Sequence, residues 1–171
     1  MDRGTGGDRE MEERETLRQA TKLWQKAYRH QIEGDLDRAI ELYQHSIEIY
    51  PTAEAHTFLG WTMSFQGRLE EATQECLRAI EIDSEFGNPY NDIGVYLMQQ
   101  DKVDEAIPWL EKAKQAKRYE PRQFPFMNLG RIYLKQRRWW EALREFEGAV
   151  RLAPRDVHAA KMLHGLRARL N

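Results

Sequence analysis

The chain has 171 residues, 32% of them charged and 41% hydrophobic, and its 26 Lys and Arg against 28 Asp and Glu leave a net charge of −2. That length allows one domain or a short array of repeats and leaves too little for two ordinary domains. No apolar run approaches the ~18 residues of a membrane span, and a lone cysteine, Cys76, excludes an internal disulfide or a cysteine zinc cluster, so a soluble protein of a reducing compartment, the cytoplasm, is expected.

Taken in chain order, the opening stretch "MDRGTGGDREMEERE" is charged and glycine-containing with no apolar segment behind it, unlike a secretion signal. Residues 1–15 are expected to be a disordered lead-in, followed by a domain over 16–171. A first helical pair over about 20–52 carries Leu23, Ala27, His30, Ala39, Tyr43 and Pro51 at its key positions. A second, over about 53–86, carries His56, Leu59, Gly60, Met63, Ala72, Cys76 and Ala79. The third, over about 87–122, has Tyr90, Ile93, Gly94, Leu97, Ala106, Leu110 and Ala113, with Pro108 inside its second helix, where a local distortion is expected. The segment "KRYEPRQ" then lengthens the connection to the fourth pair, over about 123–155. That pair contains Phe126, Leu129, Gly130, Tyr133, Ala142, Phe146, Ala149 and Pro154. Asp156 is placed to cap a final helix over about 156–170.

These segments follow one grammar. Ala39, Ala72, Ala106 and Ala142 are separated by 33, 34 and 36 residues, and Gly60, Gly94 and Gly130 stand twelve positions before the last three, with Ala27 in that place in the first pair. A glycine or alanine on one helix facing an alanine on the next lets two axes approach closely, and larger residues such as Tyr133 and Phe146 fill the space beside them. A single hairpin cannot bury both its faces, so neighbours must stack. Pro51 and Pro154 fall where second helices should stop, and Pro89 and Pro125 fall in first turns, where a missing N–H costs little.

The last pair, Phe126-x-x-Leu129-Gly130-x-x-Tyr133, then Ala142-x-x-x-Phe146, Ala149 and Pro154, resembles the tetratricopeptide repeat, with phenylalanine in place of the family's tryptophan. The resemblance covers roughly residues 20 to 170. It implies an all-α fold, a right-handed α-α superhelix of four helix-turn-helix repeats closed by a C-terminal capping helix. It also implies a scaffold whose first helices line a concave groove for a peptide or helix of a protein partner. On the stripe that the resemblance assigns to that groove stand Trp24, Tyr28 and Gln31; Thr57, Trp61 and Ser64, with Phe65 alongside; Asn91, Val95 and Met98; and Met127, Arg131 and Leu134. Some family members grip a chaperone's C-terminal carboxylate with lysines, asparagines and an arginine. The corresponding places here hold Trp24, Tyr28, Phe58, Asn88 and Asp92, or Thr57, Trp61, Asp92, Phe124 and Asn128, without the cations.

Arg131, Lys135, Arg137, Arg138 and Arg144 concentrate positive charge in the fourth pair. More broadly, residues 1–86 hold 10 Lys and Arg against 18 Asp and Glu, and residues 87–171 hold 16 against 10, for charges of −8 and +6. The polarity supports an alternative role, a self-associating scaffold in which the acidic half of one molecule docks on the basic half of the next. A nucleic-acid partner is not expected, because the acidic half would repel phosphate and no recognition motif is present. None of the five histidines forms a supported metal or triad pattern, and Cys76 occupies a core position, so neither catalysis, metal nor cofactor is expected.

Overall fold

Small residues set the spacing of every helix pair. Ala27, Ala39, Ala72, Ala106, Ala142 and Ala149 have no exposed surface at all, each methyl being covered completely in a closely packed helix contact. The structure, a computed structural model, describes residues 5–170, with side chains from residue 7 onward. Among these residues every regular element is helical: α1 (Thr5–Glu33), α2 (Leu36–Ile49), α3 (Ala53–Phe65), α4 (Leu69–Ile82), α5 (Asn88–Gln99), α6 (Val103–Gln115), α7 (Gln123–Lys135), α8 (Trp139–Leu152) and α9 (Val157–Leu170). They form two compact units, Met1–Asp83 with two hairpins and Ser84–Asn171 with two hairpins and α9.

The expected disordered lead-in is corrected over residues 5–15, because α1 starts at Thr5 and runs unbroken to Glu33; residues 1–4 lie outside the described residues. "REMEERETLRQ" is built from strong helix formers, and the Tyr50 hydroxyl donates to Glu13 Oε1 at 3.1 Å, tying this turn to the end of α2.

Sequence dictates where the helices begin and reverse. Thr52 caps α3 by accepting from the Ala55 N–H at 3.1 Å, and Asp156 caps α9 by accepting from His158 and Ala159 at 2.9 and 3.0 Å. The Ala159 N–H above all, then the Gln123 amide and the His158 N–H, hold the Asp156 carboxyl below its ordinary range against the opposing effect of burial. Each hairpin turn contains one residue in the left-handed region: Gly34 (φ +86°), Gly67 (φ +76°), Asp101 (φ +62°) and Arg137 (φ +60°). All four stand five residues before the repeated alanine, so the turn is part of the repeat. α6 continues through Pro108, which sits inside the helix with no break in it.

The glycines pack differently from the expected glycine-on-alanine contact. A Cβ on Gly130 would lie 2.5 Å from the Phe146 ring, and one on Gly94 would lie 2.6 Å from the Leu110 side chain; only at Gly60 is the neighbour Ala72, through its carbonyl oxygen at 2.8 Å. In residues 84–171 the glycine makes room for the large residue one helical turn beyond the alanine. Those side chains, Leu110 and Phe146, are fully buried in a core shared with Leu129, Ile132, Leu163 and Leu166. In residues 1–83, Tyr43, Leu59, Met63 and Cys76 fill the same role. The connection 116–122 is held to the start of α5 by a short parallel bridge, Arg118 N–H donating to Glu85 O and Gly87 N–H to Arg118 O.

Candidate functional site

Within residues 1–83, the helical spacing of α1 and α3 brings five rings into one continuous surface. Trp24 and Tyr28, one turn apart on α1, stack with centroids 5.8 Å apart. Phe58 of α3 meets both edge-on at 5.0 and 5.6 Å. Trp61 then packs on Phe58 at 5.7 Å and Phe65 on Trp61 at 5.4 Å. Tyr28, Trp61 and Phe65 remain 36%, 40% and 57% exposed. Ring pairs of this kind contribute about 0.5–1.5 kcal/mol each, so the surface is preformed rather than loose.

Phe58 joins the ring surface although it stands off the i, i+4, i+7 stripe; its signal was the ring itself, three residues before Trp61. Gln31 and Thr57 of that stripe turn inward instead. Thr57 is buried with its hydroxyl donating to Ala53 O at 2.7 Å, and Gln31 is buried with Oε1 accepting from the Tyr43 hydroxyl at 2.8 Å. The Gln31 amide nitrogen and the Trp24 indole N–H have no hydrogen-bond partner. Beside Trp24 a cleft of about 310 Å³ opens between Leu17, Thr21 and Glu54.

Within residues 84–171, the groove stripe carries a polar chain. Asn128 Nδ2 donates to Asn91 Oδ1 at 3.0 Å, Arg131 Nη1 donates to Asn128 Oδ1 at 3.2 Å, and Arg131 Nη2 lies 2.8 Å from His158 Nε2. A guanidinium only donates, so the imidazole must accept at Nε2. Asn91 and Asn128 are buried, Val95 and Met98 are half-buried, and Arg131 is exposed. Met127 does not reach the surface: it is buried in the core. Its place in the chain is taken by the adjacent Asn128, since neighbouring helices cross at an angle and equal positions in successive repeats need not meet.

Beside Asn91, burial pushes the Asp92 carboxyl up to about 7, against the opposing pull of the Asn91 amide that donates to it. A folded-state value above the unfolded 3.8 means the folded chain keeps a proton that the unfolded chain gives up. Stability from this group is therefore present at pH 4 and lost as pH rises to 7, with a slope of at most about 1.4 kcal/mol per pH unit. Asp92→Asn should remove that slope, leaving the variant more stable than the native chain above pH 7; urea midpoints measured from pH 4 to 8 check this.

Much of the expected cationic cluster is occupied internally. Arg138 pairs with Glu141 at 3.0 Å and lies over the Tyr133 ring at 4.4 Å. Lys135 pairs with Asp101 across two successive turns. Cys76 is buried, and no group of three metal-ligating side chains occurs among the described residues. No helix there is long and apolar enough to cross a membrane.

Against known proteins, profiles described as "Tetratricopeptide repeat" match residues 23–52 and 53–86, 90–118 and 126–157. The chain is 29% identical over 120 residues to the type IV pilus assembly protein PilF of Pseudomonas aeruginosa, covering 70% of this chain and 48% of that one; it spans about half the length of that relative. A solved structure of Pseudomonas aeruginosa PilF superposes with a TM-score of 0.80 at 25% identity, covering 88% of this chain and 68% of the other. The structure of PilW, a type IV pilus biogenesis factor, superposes with a TM-score of 0.77 at 16% identity over 87% of this chain and 69% of that one, a likeness of fold.

Proposed function

We propose, from the premise that the chain belongs to the tetratricopeptide repeat family, that it is a protein-binding scaffold holding a peptide or helical segment of a partner against the ring surface of residues 1–83. The observation that carries this reading is the unbroken contact of Trp24 and Tyr28 through Phe58 and Trp61 to Phe65, with Tyr28, Trp61 and Phe65 open to solvent. Rigid rings offer large contact area at low entropic cost. Arg131 and the Asn91–Asn128 pair provide a second, polar contact face within residues 84–171. Thr57 and Met127 support these faces from beneath.

The carboxylate-gripping arrangement of some family members lacks its cations here, which disfavours a chaperone tail as the partner. PilF is by name a pilus assembly protein; the likeness supports a scaffold role, and recognition is set by this chain's own side chains. Binding without catalysis fits a surface of rings and amides, and the buried Cys76 thiol fits a reducing compartment such as the cytoplasm.

Trp61→Ala is the test. Burying one such ring stabilises a complex by roughly 1.5–3 kcal/mol, so capture of protein partners from a lysate should weaken about tenfold or more. Helicity and melting temperature should stay near those of the native chain, because Trp61 is 40% exposed. Undiminished capture, or loss of capture accompanied by unfolding, would reject the ring surface as the contact face.

A further inference from the structure

Near the end of the chain, α7 and α9 enclose a cleft of about 220 Å³ floored by Leu134, Met162 and Leu166. Its rim carries Lys161 and Arg169, neither of which is paired with an acid among the described residues. Gly165 stands between them, and a side chain there would meet nothing within 4 Å, so the centre of the cleft is open. Lys161, Gly165 and Arg169 follow at i, i+4 and i+8, one face of a helix, which sets the two cations about 12 Å apart along its axis. Neither α7 nor α9 contains a single Asp or Glu. An apolar pocket with a cation at each end fits an apolar side chain flanked by two carboxylates.

The first three turns of α1 have that pattern. Asp8, Met11 and Glu15 share a face at i, i+3 and i+7, which places one apolar side chain between two acids about 10.5 Å apart along the axis. Met11 is 65% exposed, and every residue from Gly7 to Glu15 is exposed. Glu15 approaches Arg18 only at 3.9 Å, with both side chains mostly in solvent. The acidic face is thus an uncovered helix whose spacing matches the cleft to within one residue's rise.

We infer that the start of α1 of one molecule docks in the α7–α9 cleft of a second copy, Met11 entering beside Gly165 while Asp8 and Glu15 meet Lys161 and Arg169. The two surfaces are unlike, so a docked pair still carries a free helix and a free cleft, and further copies add in a row that stays open or closes into a ring. Electrostatic complementarity sets the register, and the apolar anchor slows release.

Light scattering of the full chain at low salt should show mass rising past that of a dimer with concentration and falling back as added salt shortens the Debye length below about 10 Å. Lys161→Glu with Arg169→Glu should weaken association about tenfold or more, as should Asp8→Lys with Glu15→Lys. All four positions are exposed, so circular dichroism should hold steady. Mixing the two charge-reversed variants places opposite charges together again and should restore association that neither shows alone. A chain that stays monomeric at low salt, self-association indifferent to the reversals, or a mixture that fails to recover would overturn the inference. Trp61→Ala should leave self-association unchanged, which separates this contact from partner capture by the ring surface.

Discussion

Phe146→Ala should lower stability by about 3–5 kcal/mol. The ring is completely buried, in one core with Leu110, Leu129, Ile132 and Leu163, and the helices around it are fixed by alanines that cannot move inward. The space left by the ring would therefore persist as a cavity. Gly130→Ala should cost about 1–3 kcal/mol for the opposite reason, because its new methyl would fall 2.5 Å from Phe146 Cε1. The informative measurement is the double variant. With the ring gone, the added methyl enters vacated space, and the cost of Gly130→Ala should vanish or change sign. Urea unfolding of the four chains gives the coupling; simple additivity would show that the glycine is not there to admit the ring.

Glu75→Ala should cost about 2–4 kcal/mol. Glu75 and His56 are 8% and 6% exposed, with His56 Nδ1 2.6 Å from Glu75 Oε2, and Arg78 donates to the other carboxylate oxygen at 2.6 Å. Deleting the carboxylate strands a buried imidazole nitrogen beside a methyl group. His56 occupies the place held by Tyr90 and Phe126 in the next two repeats, which suggests the compensating change. His56→Phe with Glu75→Leu replaces a buried polar pair by apolar groups of similar size, and should recover most of the loss. Thermal melts of single and double variants check this, and a double variant no better than Glu75→Ala would mean that the pair holds the α3–α4 contact in a way apolar packing cannot replace.

The fold was legible because close approach of two helices admits few side chains. Ala39, Ala72, Ala106 and Ala142 recur in phase, and each is fully buried. Asp156 announced its cap in the same way, by residue type just before an apolar run. The proposed contact faces were legible only in part. Periodicity places Thr57 and Trp61 on one stripe, yet a threonine can satisfy its hydroxyl on its own helix and sink inward, whereas an indole of that size cannot. Met127 sank because it is apolar and Asn128 beside it could bond Asn91. The helical start of α1 was hidden by its charge: the stretch has no apolar stripe, and its order comes from propensity and a tether to Tyr50. Asp92 gave no sign of its raised pKa, which depends on what covers it rather than on its neighbours in sequence.

The reversals at Gly34, Gly67, Asp101 and Arg137 share one backbone shape while differing in what they present outward. A glycine is the least strained choice there, and where it is replaced, the substituent gains a position on the rim; Asp101 uses it to reach Lys135 of the following hairpin. The four hairpins can therefore differ in what their turns present to solvent at small energetic cost while the helices beneath keep the same packing.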